Sequence, residues 1–325
     1  MTFPFNAYLL AVLSACATVL ATLPLWRKWC LRAGLMDDPG ERKIHHQPVP
    51  LAGGLAVMTG LVAPTLLAWL ALRGLGLSSH AAFLLRHGFS RRGWELAGLL
   101  AGAFGSLAIG WLDDRYELGA RTKFAGQFLV AALVAVSGAR ITLFVPSLPF
   151  SYAITILWIL TVMNALNFMD NMNGLCAGLG ATGALAFGVR AAAQGQYLVA
   201  LIALLSFGAL LGFLPYNFPR ARAFLGDAGS HLVGYLLAVL AILPHFYTSA
   251  RPGSRWAVLL PLCVLAVPLA DLVWVVLLRL RLGKPFYQGD TNHLSHRLVR
   301  LGYSPTQAVL LIWLAAGVCG LVCLL

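Results

Sequence analysis

The sequence predicts an all-α integral membrane protein with about ten transmembrane helices. Of its 325 residues, 60% are hydrophobic and only 10% are charged, whereas soluble domains carry about 25% charged residues. The apolar residues also run together in stretches long enough to cross a bilayer. Backbone groups in lipid need partners within their own segment, so these stretches are predicted to be helices. A single polytopic membrane domain is expected over residues 1–325.

The predicted spans correspond to ten apolar stretches. They cover residues 5–26, 51–72, 96–112, 124–144, 148–166, 174–193, 196–214, 231–247, 256–278 and 306–325. The first is expected to be a retained span, because no Lys or Arg precedes Arg27 and the stretch is too long for the apolar core of a signal peptide. The six cysteines form no C-x-x-C pair and are expected to pack inside the helices.

Charged residues are distributed unevenly between the two predicted sides of the membrane. With ten spans, 15 of the 23 Lys and Arg residues fall on one side, which the positive-inside rule identifies as cytoplasmic, with both termini outside. Ten of the eleven Asp and Glu residues lie on or near that same side, and only Glu95 is opposite. Because the rule does not concern carboxylates, their clustering indicates a shared cation or a charged substrate. The net charge of +12 is attributed to orientation and anionic lipid head groups rather than to nucleic acid.

Two adjacent carboxylates, Asp113 and Asp114, end the third predicted span, and Lys123 follows them. A single acidic residue at the end of a span is usually just solvated. Two together repel each other unless a cation neutralises them. A Mg²⁺ site built from one or two carboxylates and substrate phosphates would supply that cation.

A second polar segment covers residues 164–174, with four Asn and one Asp in otherwise apolar sequence. In a continuous helix Asn164, Asn167 and Asn171 would share one face. Such residues can cap a helix or bond across a helix interface. Their density favours a polar pocket.

Asp227 lies between Gly226 and Gly229 and precedes a helix that is predicted to start near Ser230. An Asp or Ser at this place is an ordinary N-cap. A glycine-flanked helix start is also a site for phosphate and cation. The residues alone leave both interpretations open.

The last polar loop follows Asp271, an aspartate within a predicted span that would share a helix face with Arg279. Asp271 is therefore either functional or paired with Arg279. His293 and His296 could bind a metal, but two histidines lack the third ligand that zinc prefers, which favours recognition of phosphate or pyrophosphate. The first polar loop, residues 37–54, has the composition of an exposed loop.

Five polar segments, in order from Asp37 to Arg297, together resemble those of the polyprenyl-phosphate N-acetylhexosamine-1-phosphate transferases of glycosyltransferase family 4, which are related to the phospho-N-acetylmuramoyl-pentapeptide translocase. The resemblance implies an enzyme of the inner (plasma) membrane with cytoplasmic catalytic loops. It would transfer N-acetylhexosamine-1-phosphate, most commonly GlcNAc-1-phosphate, from a UDP-amino sugar to undecaprenyl or another polyprenyl phosphate, releasing UMP with Mg²⁺ or Mn²⁺ as cofactor. This would be the first step of cell-surface polysaccharide synthesis. The resemblance leaves open whether the enzyme forms a homodimer.

The resemblance also suggests individual roles. Asp113 and Asp114 resemble the family's paired aspartates, one of them a proposed base on the lipid phosphate, while Asp227 resembles its metal ligand and Phe224 the aromatic that stacks on uracil. The predicted catalytic residues are Asp113, Asp114, Asp170, His293 and His296, and the predicted metal ligands are Asp227 and Asp114. The predicted substrate-binding residues are Arg42, Lys43, His45, Lys123, Asn164, Asn167, Asn217, Phe224 and Arg297.

Two positions depart from the family pattern. Asn173 stands where an Asp is usual, and Ser295 where a His is common. The charge lost at Asn173 means either that this Asp is dispensable or that the substrate or activity differs, so an inactive scaffold is an alternative. The absence of consecutive histidines favours the N-acetylhexosamine branch over the pentapeptide translocase. A transporter or lipid flippase is a further alternative, although such proteins place ionisable residues near the bilayer midplane and often show repeats.

Overall fold

The computed structural model describes residues 3–37, 48–74, 92–244, 255–285, 287 and 289–321. Each of the ten predicted apolar stretches contains a helix. The helices are α1 (Phe5–Ala33), α2 (Gly53–Gly74), α3 (Gly93–Tyr116), α4 (Ala120–Ser137), α5 (Leu148–Phe168), α6 (Leu175–Ala193), α7 (Tyr197–Asn217), α8 (Gly226–Leu240), a 3₁₀ turn (Arg255–Leu259), α9 (Leu260–Val264), α10 (Ala266–Arg281), α11 (Leu294–Arg300) and α12 (Pro305–Leu321).

Within the described ranges, six helices are long and apolar enough to cross a membrane, namely α1, α2, α3, α5, α6 and α7. A seventh span would be the bent pair Ala257–Val264 and Ala266–Arg281, which changes direction by 70°. The prediction of an all-α multi-pass membrane protein is thus confirmed, whereas the predicted number of about ten spans is not. Helix α4 carries the charged residues Arg121 and Lys123 in its first turn, and α8 has only 15 residues. At 1.5 Å per residue α8 is about 22 Å long, shorter than a hydrocarbon core of about 30 Å.

Helix α8 lies in the interior of the helix bundle. Every residue from Ala228 to Leu240 is buried, and the helix is packed against α2, α3, α5 and α6. Glycines permit this close packing, because a side chain at Gly234 would collide with the backbone of Met163 on α5. The first turn of α8 is therefore held in place by several surrounding helices.

A short hairpin precedes α2. Strands β1 (Met36–Asp37) and β2 (Val49–Pro50) pair antiparallel, with Met36 opposite Pro50. The residues between them include Arg42, Lys43 and His45, and these three predicted substrate-binding residues lie outside the described residues. The backbone N–H of Phe224 donates to the carbonyl of Pro50 at 3.0 Å, and that of Gly53 donates to the carbonyl of Phe224 at 2.9 Å. The base of the first polar loop is thus joined to the segment that leads into α8.

Gly110 of α3 packs directly against the first turn of α8. A Cβ atom at this position would collide with the carbonyl oxygen of Asp227, a backbone atom that cannot move aside. We expect Gly110→Ala to lower the stability of the folded protein by about 2 kcal/mol, since overpacking of this kind costs about 1–3 kcal/mol. A thermal melt in detergent would measure the loss. Gly119→Ala is the matched control, because nothing lies within 4 Å of a Cβ there and its φ of −61° suits alanine; equal melting temperatures for the two variants would contradict the prediction.

Candidate active site

A charged cluster forms where α3, α4 and α8 meet. The Lys123 Nζ atom, at the start of α4, lies 2.6 Å from Asp113 Oδ2 and 3.2 Å from Asp227 Oδ2. The side chain of Asp227 is the most exposed of the three, at 33%, against 20% for Lys123 and 9% for Asp113. The two carboxylates therefore converge on one cationic atom, with Asp227 accessible from outside the cluster.

Asp114 holds the start of α8. Its Oδ1 accepts the backbone N–H of Asp227 at 2.7 Å, and its Oδ2 accepts that of Ala228 at 3.0 Å. The first N–H groups of a helix lack partners within the helix, and a negative charge is favourable there. Gly226 has φ +68°, and a Cβ there would lie 2.6 Å from Asp114 Oδ2, so glycine suits both the turn and the approach of the carboxylate. The structure thus gives Asp114 the task of positioning Asp227, and its predicted ligation of a metal stays a prediction.

Asn167 is a further hydrogen-bond partner of the Asp227 side chain. Its Nδ2 donates to Asp227 Oδ1 at 2.5 Å and to Ser230 Oγ at 2.9 Å. Asn164, one turn earlier on α5, donates to Gln127 Oε1 at 2.8 Å. Both residues thus bond to polar side chains of neighbouring helices, and their binding of substrate stays a prediction. The helix ends at Phe168, however, so Asn171 lies beyond it in a turn and is not part of the same helical face.

The electrostatics of this cluster favour an additional cation. Burial raises the pKa of Asp170 well above its usual value, and the negative charges of Asp227 and Asp114 raise it further. Among the described residues, no three His, Cys, Asp or Glu side chains are arranged so that they could hold a metal ion by themselves. Mg²⁺ is commonly held by one or two carboxylates plus substrate phosphates. The accessible carboxylate of Asp227 therefore fits an ion whose coordination is completed by substrate.

Asn217 joins two loops near the cluster. Its Oδ1 accepts the backbone N–H of Gly174 at 2.7 Å, and its Nδ2 donates to the carbonyl of Ala223 at 2.9 Å. Asn217 is buried and both ends of its amide bond to backbone, so it positions the segment that carries Phe224. Phe224 itself is half-buried at the edge of that segment.

The two departures from the family pattern each have a partner in this chain. Asn173 Nδ2 donates to the carbonyl of Pro219 at 3.1 Å, a bond that an ionised Asp cannot make because it has no donor. Ser295 Oγ donates to Asn171 Oδ1 at 2.6 Å. Both side chains connect polar segments to each other.

A second polar group lies around the start of α11. Asp271 is buried, its Oδ2 lies 2.6 Å from His293 Nδ1, and its Oδ1 accepts the backbone N–H of Leu294 at 2.6 Å. Asp271 thus contacts His293, and its functional role stays a prediction. Arg279, also buried, donates from Nε to Asp290 Oδ2 at 2.7 Å. Burial raises the pKa of Asp290, but the hydrogen bonds from Arg279 and from the Asn292 backbone, together with the nearby positive charges, outweigh it, and the pKa is lowered.

His296 and Arg297 follow on α11. Burial lowers the pKa of His296, and the neighbouring His293 lowers it further, so His296 is mainly neutral at neutral pH and is suited to hydrogen bonding rather than to ion pairing. Arg297 is exposed, and its guanidinium lies 4.6 Å from the ring centre of Trp274 on α10.

Phe168, the last residue of α5, connects the two groups. The Arg279 guanidinium lies 4.9 Å from its ring centre, and the His293 ring packs edge-on at 5.7 Å. The helix that places Asn167 on Asp227 thus ends against the His293 loop. Sequence reasoning missed Phe168, for which no signal existed. It also missed the buried His231, although a histidine one turn after Asp227 in an apolar run was a usable signal.

Comparison with known proteins identifies the family of this chain. The family described as Glycosyl transferase family 4 matches residues 96–245. A probable undecaprenyl-phosphate N-acetylglucosaminyl 1-phosphate transferase of Bacillus subtilis is 31% identical over 91% of this chain and 78% of its own length. A decaprenyl-phosphate N-acetylglucosaminephosphotransferase of Mycobacterium tuberculosis is 35% identical over 95% and 80%. The undecaprenyl-phosphate alpha-N-acetylglucosaminyl 1-phosphate transferase of Escherichia coli K12 is 29% identical over 89% and 76%. The family that the polar segments predicted is confirmed, and the chain belongs to glycosyl transferase family 4.

Proposed function

We propose that this protein transfers GlcNAc-1-phosphate from UDP-GlcNAc to a polyprenyl phosphate such as undecaprenyl phosphate, and releases UMP. The observation that carries the proposal is the convergence of Asp113, Lys123 and Asp227 at helix ends of a membrane protein. A cluster of carboxylates with an ammonium suits a diphosphate together with a cation. The names of the relatives favour GlcNAc over phospho-N-acetylmuramoyl-pentapeptide.

In the proposed reaction, an oxygen of the lipid phosphate attacks the β-phosphorus of the UDP-sugar. The bond from that phosphorus to the bridging oxygen breaks, and the electron pair leaves with UMP. Lys123 would neutralise phosphate charge, and Asp113 would accept the remaining proton of the lipid phosphate when this group is still singly protonated (second pKa about 6). Asp227, with Asp114 as the second predicted ligand, would hold Mg²⁺ or Mn²⁺ together with phosphate oxygens of the substrate. The bound cation would neutralise the charge that develops as the diphosphate is cleaved.

The remaining predicted substrate-binding residues would contact the substrate from two sides of a single site. Phe224 would stack on uracil, near the loops that Asn217 holds. His293 would contact the diphosphate or the sugar from the other side of Phe168. The proposed location is the inner (plasma) membrane with this site in the cytoplasm, as the distribution of charges in the sequence predicts. With the ten spans predicted from the sequence, both termini would lie outside.

Release of UMP by the purified protein is the direct test. We expect UMP to form from UDP-GlcNAc only when both undecaprenyl phosphate and Mg²⁺ are present, and EDTA to stop the reaction because the cluster needs its cation. A coupled assay for UMP measures this. Mn²⁺ should restore activity after EDTA, since it accepts the same oxygen ligands.

Parallel arms separate the alternatives. UMP release with UDP-N-acetylmuramoyl-pentapeptide but not with UDP-GlcNAc would assign the translocase activity. Movement of a labelled lipid or solute across vesicles without UMP formation would assign a transporter. Absence of both activities in folded protein would assign an inactive scaffold, and each of these results would overturn the proposal.

A further inference from the structure

His231 is a buried imidazole in an otherwise apolar stretch of α8. It is fully buried, and its neighbours along α8 from Leu232 to Leu240 are buried as well. A polar ring in such a place is costly unless its nitrogens are hydrogen-bonded. Its contacts should therefore show what it does.

Both ring nitrogens have partners. Nδ1 lies 2.6 Å from the carbonyl oxygen of Asp227, and Nε2 lies 2.7 Å from Gln127 Nε2. A carbonyl can only accept, so Nδ1 carries the hydrogen and Nε2 accepts from Gln127. Gln127 Oε1 in turn accepts from Asn164 Nδ2 at 2.8 Å. This assignment gives both ring nitrogens of a neutral histidine a partner, and the hydrogen bonds run from Asn164 through Gln127 and His231 to the carbonyl of Asp227.

The residues Asn164, Gln127 and His231 form a deep polar layer, which lies one helical turn below the charged cluster. Gln127 follows Lys123 by four residues on α4, and His231 follows Asp227 by four residues on α8. Asn164 precedes Asn167 by three residues on α5. Residues three or four apart share a helix face. Each member of the layer therefore lies directly beneath one of the three groups that meet at the Asp227 carboxylate.

The layer also fixes the backbone of Asp227 from its second side. Asp114 binds the N–H of Asp227, and His231 binds its carbonyl. The carboxylate itself is held by Lys123 and Asn167, which come from the same helices, α4 and α5, as Gln127 and Asn164. Side chains of α4, α5 and α8 are thus joined by hydrogen bonds both at the cluster and one turn deeper.

We propose that His231 is a positioning residue, which sets the geometry of Lys123, Asn167 and Asp227 through hydrogen bonds to Gln127 and to the Asp227 carbonyl. The inference rests on the proposed function for its effect on rate. It does not require His231 to touch substrate. It predicts an effect on the transfer step rather than on binding of the nucleotide sugar, because the groups that it aligns act on the diphosphate.

Three variants test this role. His231→Leu keeps a similar volume but removes both hydrogen bonds, and we expect kcat to fall roughly 100-fold, as a displacement of about 1 Å can cause, with KM for UDP-GlcNAc changed less than about twofold. His231→Gln keeps one donor and one acceptor at a similar separation and should recover most of kcat. Tyr235→Phe is the matched control, because it removes another buried hydrogen bond of α8, from the Tyr235 hydroxyl to the carbonyl of Leu99 at 2.7 Å, and should retain kcat.

Hydrogen exchange supplies a readout that needs no substrate. Amides of residues 225–230 should exchange faster in His231→Leu than in the natural protein, and should be unchanged in Tyr235→Phe. If the natural protein released no UMP, the proposed function would fail, while the exchange result would still decide whether His231 holds Asp227.

Several outcomes would overturn the inference. These are full kcat in His231→Leu, equal losses in His231→Leu and Tyr235→Phe, no recovery in His231→Gln, and unchanged exchange at 225–230. Should His231→Leu fail to fold, Gln127→Leu takes its place, since it removes the hydrogen bond to Nε2 and must lower kcat with little change in KM. In a folded double variant, His231→Leu with Gln127→Leu, the loss should be no larger than the greater single loss, because the two residues act through one chain of hydrogen bonds.

Discussion

Asp227→Asn is expected to reduce UMP release about 1000-fold, the scale on which single electrostatic groups act in preorganised sites. The Asp227 carboxylate accepts from Asn167 through Oδ1 and from Lys123 through Oδ2. An amide of the same shape carries no negative charge to attract Lys123 or a metal ion. Its NH₂ group would also face the donor group of either Asn167 or Lys123. The backbone of residue 227 would keep its bond to Asp114, so the fold should survive. Initial rates of UMP formation measure the loss.

Glu95→Gln is the matched control for this substitution. It makes the same chemical change in a carboxylate at the opposite end of α3, where Glu95 pairs with the exposed Arg92 at 3.7 Å. We expect it to leave both the rate and the melting temperature unchanged. Near-normal turnover by a folded Asp227→Asn protein would contradict the assigned role of Asp227 and weaken the proposed function with it.

Asp113→Asn and Asp114→Asn should both abolish most activity, but only the second should also destabilise the protein. Asp114 accepts two backbone N–H groups at the start of α8, and an amide would turn one N–H towards another. We expect a loss of about 2 kcal/mol, as hydrogen bonds to charged groups contribute about 1.5–3 kcal/mol. Asp113 contacts a side chain instead, the Lys123 ammonium. Melting temperature and UMP release, measured together on the two variants, test the difference.

The two aspartates serve as controls for each other, since they are adjacent and undergo the same substitution. Equal stability of both variants would show that Asp114 does not hold α8. A stable Asp114→Asn protein with unchanged activity would, in addition, remove the role assigned to the paired carboxylates.

The sequence was sufficient to predict the helices and the convergence of distant carboxylates. Apolar runs indicate helices because lipid leaves the backbone few alternatives, and the clustering of acids pointed to one site. It could not distinguish Asp113 from Asp114. Successive residues on a helix point about 100° apart, so Asp113 faces Lys123 whereas Asp114 faces the first turn of α8. Only the packing of α3 against α8 shows which of the two aspartates makes which contact.

Two further features were beyond sequence reasoning for a similar reason. The apolar run that forms α8 has the composition of a membrane span, but apolar residues suit a protein interior as well as they suit lipid. The partner of His231 outside its own helix, Gln127, lies on α4 more than one hundred residues earlier in the chain. The spacing of polar residues along the sequence therefore predicted candidate site residues but not the tertiary contacts that hold them in place.

The enclosure of α8 has a consequence for how the protein is made. A helix of 15 residues with protein on all sides gains little by entering a bilayer alone, and its stabilising contacts exist only after α2, α3, α5 and α6 have come together. Asp227 is carried by its first turn, so the charged cluster should be among the last parts of the molecule to assemble. A partly inserted chain would hold Asp113, Asp114 and Lys123 without their common partner, and would be unable to act on a sugar nucleotide before biogenesis is complete.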